Sequence, residues 1–322
     1  MQRPFFLEHK SYRNQTVSHL LAGCGHLLSP FSYRAFAGVA KLLGKAAAQD
    51  CFCTSYILPD AKFRFRLSDF YWNRLVSSAF EYEPEISFLL RQVRDIPYVF
   101  LDCGANYGYW SLIASSECFG RHPVVAVEAC RETFDILEES RKRNGQRFVA
   151  LHRAIAAASS QSVPIYTRGS HAGASLLTQW LGNYKPVSKI ESVETISIDD
   201  LVDQFAQEKT SPIVIKLDVE GMEVEALKGS IRTVARQPLI IYEEYGEDLS
   251  CQTSEFVMSE LNMDVFFVDD NQQVAKIDSV NGVRKLKIHK TRGYNFLAAT
   301  AQSPFWKKLI MLRNRVEIPG RL

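Results

Sequence analysis

From Pro97 onward, short apolar runs and helical patterns alternate, and this alternation limits the chain more than any other feature. "YVFLD" is followed by a helix expected over 107–118. "PVVAVE" is followed by one over 131–144, where Phe134, Leu137 and Arg141 keep helical spacing. Glu138 and Lys142 form an i,i+4 pair there, and Asn144 with Gly145 signals the stop. "RFVALH" reads as a third strand and "PIVIKLDV" as a fourth, with a helix after it carrying Val224, Leu227, Ile231 and Val234. "PLIIYEE" is a fifth strand, followed by helix 253–262, strand "DVFFV" and a final strand "YNFLAAT". Such alternation implies an α/β fold, a mostly parallel twisted sheet with helices on both faces. Ligands bind outside the carboxyl ends of strands in these sheets, so functional residues are expected just after strands.

The flanks are less regular. Residues 17–48 read as two short helices broken at Pro30, either a cap on the main domain or a segment lying on a membrane surface. "KFRFRLSDF" alternates charged and apolar residues, as a half-buried strand does. A helix begins near Pro84, with Ile86, Leu89, Leu90 and Val93 on one face. The expected division is an N-terminal helical extension over 1–60, a main domain over 61–300 and a basic tail over 301–322. Net charge is +2, which argues against a molecule built as a whole for nucleic acid. The charge is uneven, because from Arg284 to the end only Glu317 is acidic. The seven cysteines include Cys51 and Cys53 in C-x-C, but no Cys/His cluster has zinc spacing, so no metal site is expected. No apolar run reaches the roughly 18 residues of a membrane span. "MQRPFFLEHK" lacks a signal-peptide core, and a cytoplasmic protein with free thiols is expected.

The turn after the first strand narrows the ligand. Asp102 ends the strand, and Gly104 and Gly108 open the way into the helix. Glycine permits positive φ and close backbone approach by a ligand. The G-x-x-x-G spacing is neither the dinucleotide fingerprint nor a phosphate-binding loop, and an acid at the mouth disfavours pyrophosphate. Glu128 ends the second strand, where a carboxylate can accept both ribose hydroxyls. A nucleoside ligand with a cationic part and no phosphate points to S-adenosylmethionine.

"FLDCGANYG" resembles the D-x-G-A-N-x-G motif of class I S-adenosylmethionine-dependent methyltransferases, whose fold is Rossmann-like. "IKLDVEGMEVEALKG" resembles the more specific K-x-D-x-E-G-x-E hallmark of the FkbM family, and "VETISIDDL" matches the lead-in to that strand. The resemblance spans roughly residues 80 to 245. It implies methyl transfer to hydroxyls of sugars or natural products. It also implies a cofactor site made by Asp102, Gly104, Ala105, Asn106, Tyr107 and Gly108 with Glu128 and Ala129. Tyr107 is expected at the methionyl part and Trp110 in the core. Glu81 and Glu83 resemble the family's acidic pair before the domain, and Glu83 is a candidate for the cofactor's ammonium.

The chemistry needs an in-line nucleophile and removal of its proton. Alternation places Lys216, Asp218 and Glu220 on one side of an otherwise apolar strand and its exit. Asp218 is the first candidate for the general base, with Lys216 pairing to it or to Glu243. Glu243 and Glu244 end the neighbouring strand, and one of them should face the same cleft. Two carboxylates facing it together could also hold Mg²⁺. Glu220 and His171 are candidates for acceptor binding, His171 lying in a segment over 168–186 that could overhang the cleft. A small-molecule sugar substrate is expected. The alternatives are a nucleic-acid methyltransferase using the basic C-terminus and a cofactor-binding scaffold without catalysis.

Overall fold

The structure is a computed structural model that describes residues 4–8, 11–28, 33–167, 189–206, 208, 211–290 and 292–314. Strand β1 (Phe5–Leu7) precedes helices α1 (Tyr12–Leu28) and α2 (Tyr33–Ala46) and the hairpin β2 (Phe52–Leu58) and β3 (Ala61–Arg66). Helix α3 (Pro84–Val93) leads to β4 (Val99–Cys103), α4 (Tyr109–Ala114), β5 (Val124–Glu128), α5 (Arg131–Arg143) and β6 (Val149–His152). Three strands follow, β7 (Ala154–Ile155), β8 (Ser162–Thr167) and β9 (Lys189–Ile196), and then α6 (Ile198–Phe205). Next come β10 (Ile213–Leu217), α7 (Glu223–Lys228), α8 (Ile231–Val234), β11 (Leu239–Tyr245) and α9 (Gln252–Ser259). The last described elements are β12 (Asp264–Val268), β13 (Val274–Ile277), α10 (Val280–Leu286), β14 (Gly293–Ala299) and α11 (Pro304–Asn314).

The central sheet runs β13-β12-β14-β11-β10-β4-β5-β6. The five strands from β11 to β6 pair in parallel. The last strand, β14, enters antiparallel between β11 and β12, and β13 adds an antiparallel edge. After β6 the chain crosses back to the other side of β4, so strand order reverses between β4 and β10. A crevice opens at such a switch point, at the carboxyl ends of the two strands.

Every residue of β4, β5 and β10 is buried, which suits strands covered on both faces. Alternate residues enter different cores. Phe100, Val214 and Ile241 join the N-terminal elements, α3 and α11. Leu101, Ile215 and Tyr242 join α6, α7 and α9. This parity decides which charged residues share a face.

Some local expectations change. The N-terminal extension holds the two helices but also β1 and β2, which form an antiparallel sheet with β3 of the following segment, and only β3 had a readable pattern. The break at Pro30 lies outside the described residues. The helix after the fourth strand divides into α7 and α8. Gly229 sits against the Ala156 carbonyl, where a Cβ would come within 2.5 Å, and Asp199 accepts from the Arg232 and Thr233 amides to start α8 afresh. Ile231, expected on that one helix with Val224, Leu227 and Val234, is 56% exposed. The helix of 107–118 shortens to α4, and on α5 Glu138 bonds Arg141 while Lys142 turns to Glu139. Helix α11 docks through Phe305, Leu309 and Leu312, and Trp306 Nε1 donates to Asp264 Oδ2 at 2.6 Å. Among the described residues no helix is long and apolar enough to cross a membrane.

Candidate active site at the strand carboxyl ends

The turn after β4 is built by backbone contacts that only its sequence permits. The amides of Gly104 and Ala105 both donate to Val127 O, and Asp218 N donates to Cys103 O at 3.0 Å. Gly104 has φ +83°, and a Cβ there would lie 1.8 Å from Asp218 O. Glycine therefore lets the loops after β4 and β10 touch. Gly108, at φ +87°, leaves room for Leu137 of α5. Asn106 takes φ +51°, which its short side chain tolerates, and its Oδ1 accepts from Trp72 Nε1 and from Tyr107 N at 2.9 Å.

Glu128 ends β5 at the floor of the cleft. Its Oε2 accepts from Asn106 N and its Oε1 from Cys130 N, so the carboxylate ties the turn to the next loop. Burial pushes its carboxyl up to about 7, against the pull of those amides. Val127, Ala129, Ile155 and Ile165 line the cleft beside it.

The charged centre lies on the other side of the turn. Lys216 is 3% exposed, and its Nζ donates to Asp218 Oδ2 at 2.9 Å. Burial opposes its charge, but Asp218, Glu83 and Asp102 outweigh it and raise its affinity for the proton. Asp218, Glu220 and Glu243 line the cleft. Burial drives the Glu243 carboxyl well above its ordinary range, and Asp218, Glu83 and Glu220 add to this against Lys216. Glu83 has φ +42° at the start of α3 and is gripped by Trp110 Nε1 at 2.8 Å and Asn295 Nδ2 at 3.1 Å. Burial raises it to about 7, with Lys216 opposing.

The candidate residues thus divide. Gly104, Asn106, Glu128, Ala129, Asp218, Glu220 and Glu243 face one cleft. Asp102 is 1% exposed beneath it, accepts from Ser111 Oγ at 2.5 Å and lies level with Lys216 in the sheet. Burial raises its carboxyl, with Lys216 and the Ser111 bond pulling the other way. Ala105 is buried in the turn. Tyr107 lies in the core, not in the cleft, among the rings of Phe63 and Trp72, with its hydroxyl donating to Asp69 Oδ2 at 3.2 Å. Glu244 enters the opposite core, where its Oε1 accepts from Ser254 N and its Oε2 meets the buried Lys287. Glu243 and Glu244 therefore diverge and cannot clasp one cation between them. Among the described residues no group of three or more His, Cys, Asp or Glu is placed to hold a metal. His171 and the 168–186 segment lie outside the described residues.

Sequence reasoning missed the aromatic wall. Tyr71, Trp72 and Tyr82 line the cleft, with the Tyr71 and Tyr82 hydroxyls 2.7 Å apart. They come from the segment between β3 and α3, which has no motif or periodicity. Arg153, directly after β6, lines the cleft with Glu128. Its place at a strand end was the signal available.

Comparison with known proteins bears on this site. Hexuronic acid methyltransferase AglP of Haloferax volcanii is 28% identical over 203 residues, 59% of this chain and 77% of that protein. Among solved structures, the methyltransferase FkbM of Methylobacillus flagellatus KT is similar at 15% identity and a TM-score of 0.40, over 63% of this chain and 43% of that one. The chain thus spans less than half of that protein's length. Precorrin-6y C5,15-methyltransferase of Geobacter metallireducens GS-15 is similar at 11% identity and a TM-score of 0.38, over 68% of this chain and 88% of that one. The profile of the methyltransferase FkbM domain matches residues 102–268, just over half of the 322 residues, and covers the glycine turn, Glu128 and the Lys216–Asp218 pair. The chain belongs to the FkbM methyltransferase family.

Proposed function

We propose that the protein is an S-adenosylmethionine-dependent O-methyltransferase that modifies a hydroxyl of a sugar or glycosylated small molecule. The observation that carries this reading is the Lys216–Asp218 pair, whose carboxylate opens into the cleft beside the Gly104 turn and Glu128. The cofactor fits the chemistry of this cleft. The turn has no room for a Cβ at Gly104, Glu128 can accept ribose hydroxyls, and the carboxylates of Asp218, Glu220 and Glu243 suit a ligand with cationic groups. Glu83 lies behind them.

When bound, S-adenosylmethionine supplies an electrophilic methyl group on a sulfonium. The chain's own part is to hold the acceptor and move a proton. Asp218 accepts the acceptor hydroxyl's hydrogen bond and takes its proton as the oxygen becomes nucleophilic. Lys216 anchors Asp218 from below through its 2.9 Å bond to Oδ2. Glu243 and Glu220 accept from further hydroxyls, and the Tyr71, Trp72 and Tyr82 wall offers ring faces and edges to a sugar's C–H surface. Kinship with a protein named for methylating a hexuronic acid supports the sugar class. The nucleic-acid reading loses part of its basis, because Lys287 of the basic C-terminal stretch is buried against Glu244.

The test is turnover with methyl-labelled S-adenosylmethionine and a panel of free and linked sugars. Label in a sugar hydroxyl, lost in Asp218→Asn, is the expected result. Label only in RNA, or no transfer despite cofactor binding, would overturn the reading in favour of the nucleic-acid enzyme or the inactive scaffold.

A further inference from the structure

The outer face of α1 and α2 is not explained by the site. Leu27 and Leu42 are 72% and 70% exposed, and Leu20 is 47% exposed. Leu20 and Leu27 are seven residues apart on α1, hence on one stripe, and Arg13 continues it seven residues earlier. On α2, Lys41 and Lys45 flank Leu42 and are exposed. Between Glu8 and Asp50 the sequence has five Lys or Arg and no acid, in a chain whose Lys+Arg and Asp+Glu totals are 38 and 36. The inner faces are committed. Val17, Leu21, Phe36 and Ala40 are buried in the core, and a Cβ at Gly25 would come within 2.1 Å of Ser77 Oγ. The pair is therefore held firmly, with Leu20, Leu27, Leu42, Arg13, Lys41 and Lys45 exposed on the outside.

We propose that this face docks on an anionic lipid surface. Leucines flanked by exposed positive charge are what a bilayer boundary rewards, the leucines entering the acyl region and the cations meeting headgroup phosphates. A second copy of the chain fits poorly. A two-fold interface sets the same patch against itself, and these helices carry basic side chains with no acid to answer them. Nucleic acid would use the cations and leave the leucines in water. The face also borders the cleft. Asn73 Nδ2 donates to Ala40 O, fastening α2 to the 67–73 segment. From that segment Tyr71 and Trp72 line the cleft, while Phe70, 40% exposed, lies under Lys41 Nζ. Docking would therefore bring the aromatic rim of the cleft near the headgroups.

Co-sedimentation of the full chain with vesicles of phosphatidylcholine alone, or mixed with phosphatidylglycerol, tests this. Binding to the mixed vesicles is expected, weaker at high salt. Leu27→Glu with Leu42→Glu, or Lys41→Glu with Lys45→Glu, should weaken it by roughly tenfold or more. Thermal melts of the variants should match the parent. No binding to the mixed vesicles would overturn the proposal, as would variants that bind like the parent. A dimer in light scattering that Leu27→Glu dissolves, without vesicle binding by the parent, would assign the face to self-association instead. None of these results depends on methyl transfer.

Discussion

Lys216 and Asp218 stand two residues apart at the exit of β10, bonded at 2.9 Å, with side chains 4% and 22% exposed. One member is inside the protein and the other reaches the cleft. Asp218→Asn keeps the shape and removes the basicity, so kcat should fall by roughly 10²-fold or more, with S-adenosylhomocysteine affinity nearly unchanged. Glu83 and Asp102 still face Lys216 in this variant, so its melting point should fall less than that of a variant that removes Lys216. Single-turnover rates and thermal melts on one variant check both. A parent-like rate would remove Asp218 from the mechanism and make Glu243 the next base to test.

Lys216→Met should behave differently. It leaves Asp102, Asp218, Glu83 and Glu243 crowded without the cation that opposes their repulsion. Breaking a buried pair costs about 3–5 kcal/mol. Urea unfolding should show a loss of this order, larger at pH 8 than at pH 5, because Glu83, raised to about 7, is protonated at the lower pH. A parent-like midpoint at both pH values would refute the role of Lys216 as the organiser of these charges.

Gly104→Ala should separate the two loops that build the cleft. Its Cβ would lie 1.8 Å from Asp218 O, and φ is +83°. A main-chain clash at positive φ costs upwards of roughly 1–3 kcal/mol from strain alone. Calorimetry with S-adenosylhomocysteine should detect no binding, and the melt should fall. Retained affinity would mean that the turn tolerates a side chain and that the close contact is not needed.

The Glu128 carboxyl predicts a pH dependence. Its value in the fold, about 7, is above the ordinary 4.5, so the native state holds this proton more tightly than the unfolded chain. Its contribution to stability is full below about pH 4.5 and declines as pH rises through 7. Glu128→Gln cannot ionise, so between pH 5 and 8 the parent should lose up to about 3 kcal/mol relative to it. Parallel pH profiles in urea titrations would argue against this. Glu128→Ala should also weaken S-adenosylhomocysteine binding by about 1–3 kcal/mol.

Phe305 of α11 is fully buried, and among the described residues none of that helix lines the cleft. Phe305→Ala should cost about 3–5 kcal/mol of stability and leave cofactor affinity unchanged in the folded protein. Melts and calorimetry together would show whether the C-terminal helix is a brace, as its packing indicates, or part of the binding machinery.

Much of this arrangement was written locally. Short apolar runs and period-3.6 patterns marked the central strands and helices because burial acts on neighbouring residues. The glycine turn, Glu128 and the K-x-D pair were legible because strand ends and close backbone approaches demand particular residue types. Long-range geometry decided the rest. The alternation of "YEE" shows that Glu243 and Glu244 oppose each other, but only the alignment of β11 with β10, Ile241 beside Lys216, sends Glu243 into the cleft and Glu244 to Lys287. Tyr107 reads like a ligand residue from its motif, yet β3 and Trp72 close over it and make it core. The aromatic wall of Tyr71, Trp72 and Tyr82 has no signature of its own, since its position depends on α1 and α2 pressing a distant segment against the sheet. Sequence determines what each residue can do within a few positions of itself. Which of those residues share a cleft is settled by packing between segments far apart in the chain.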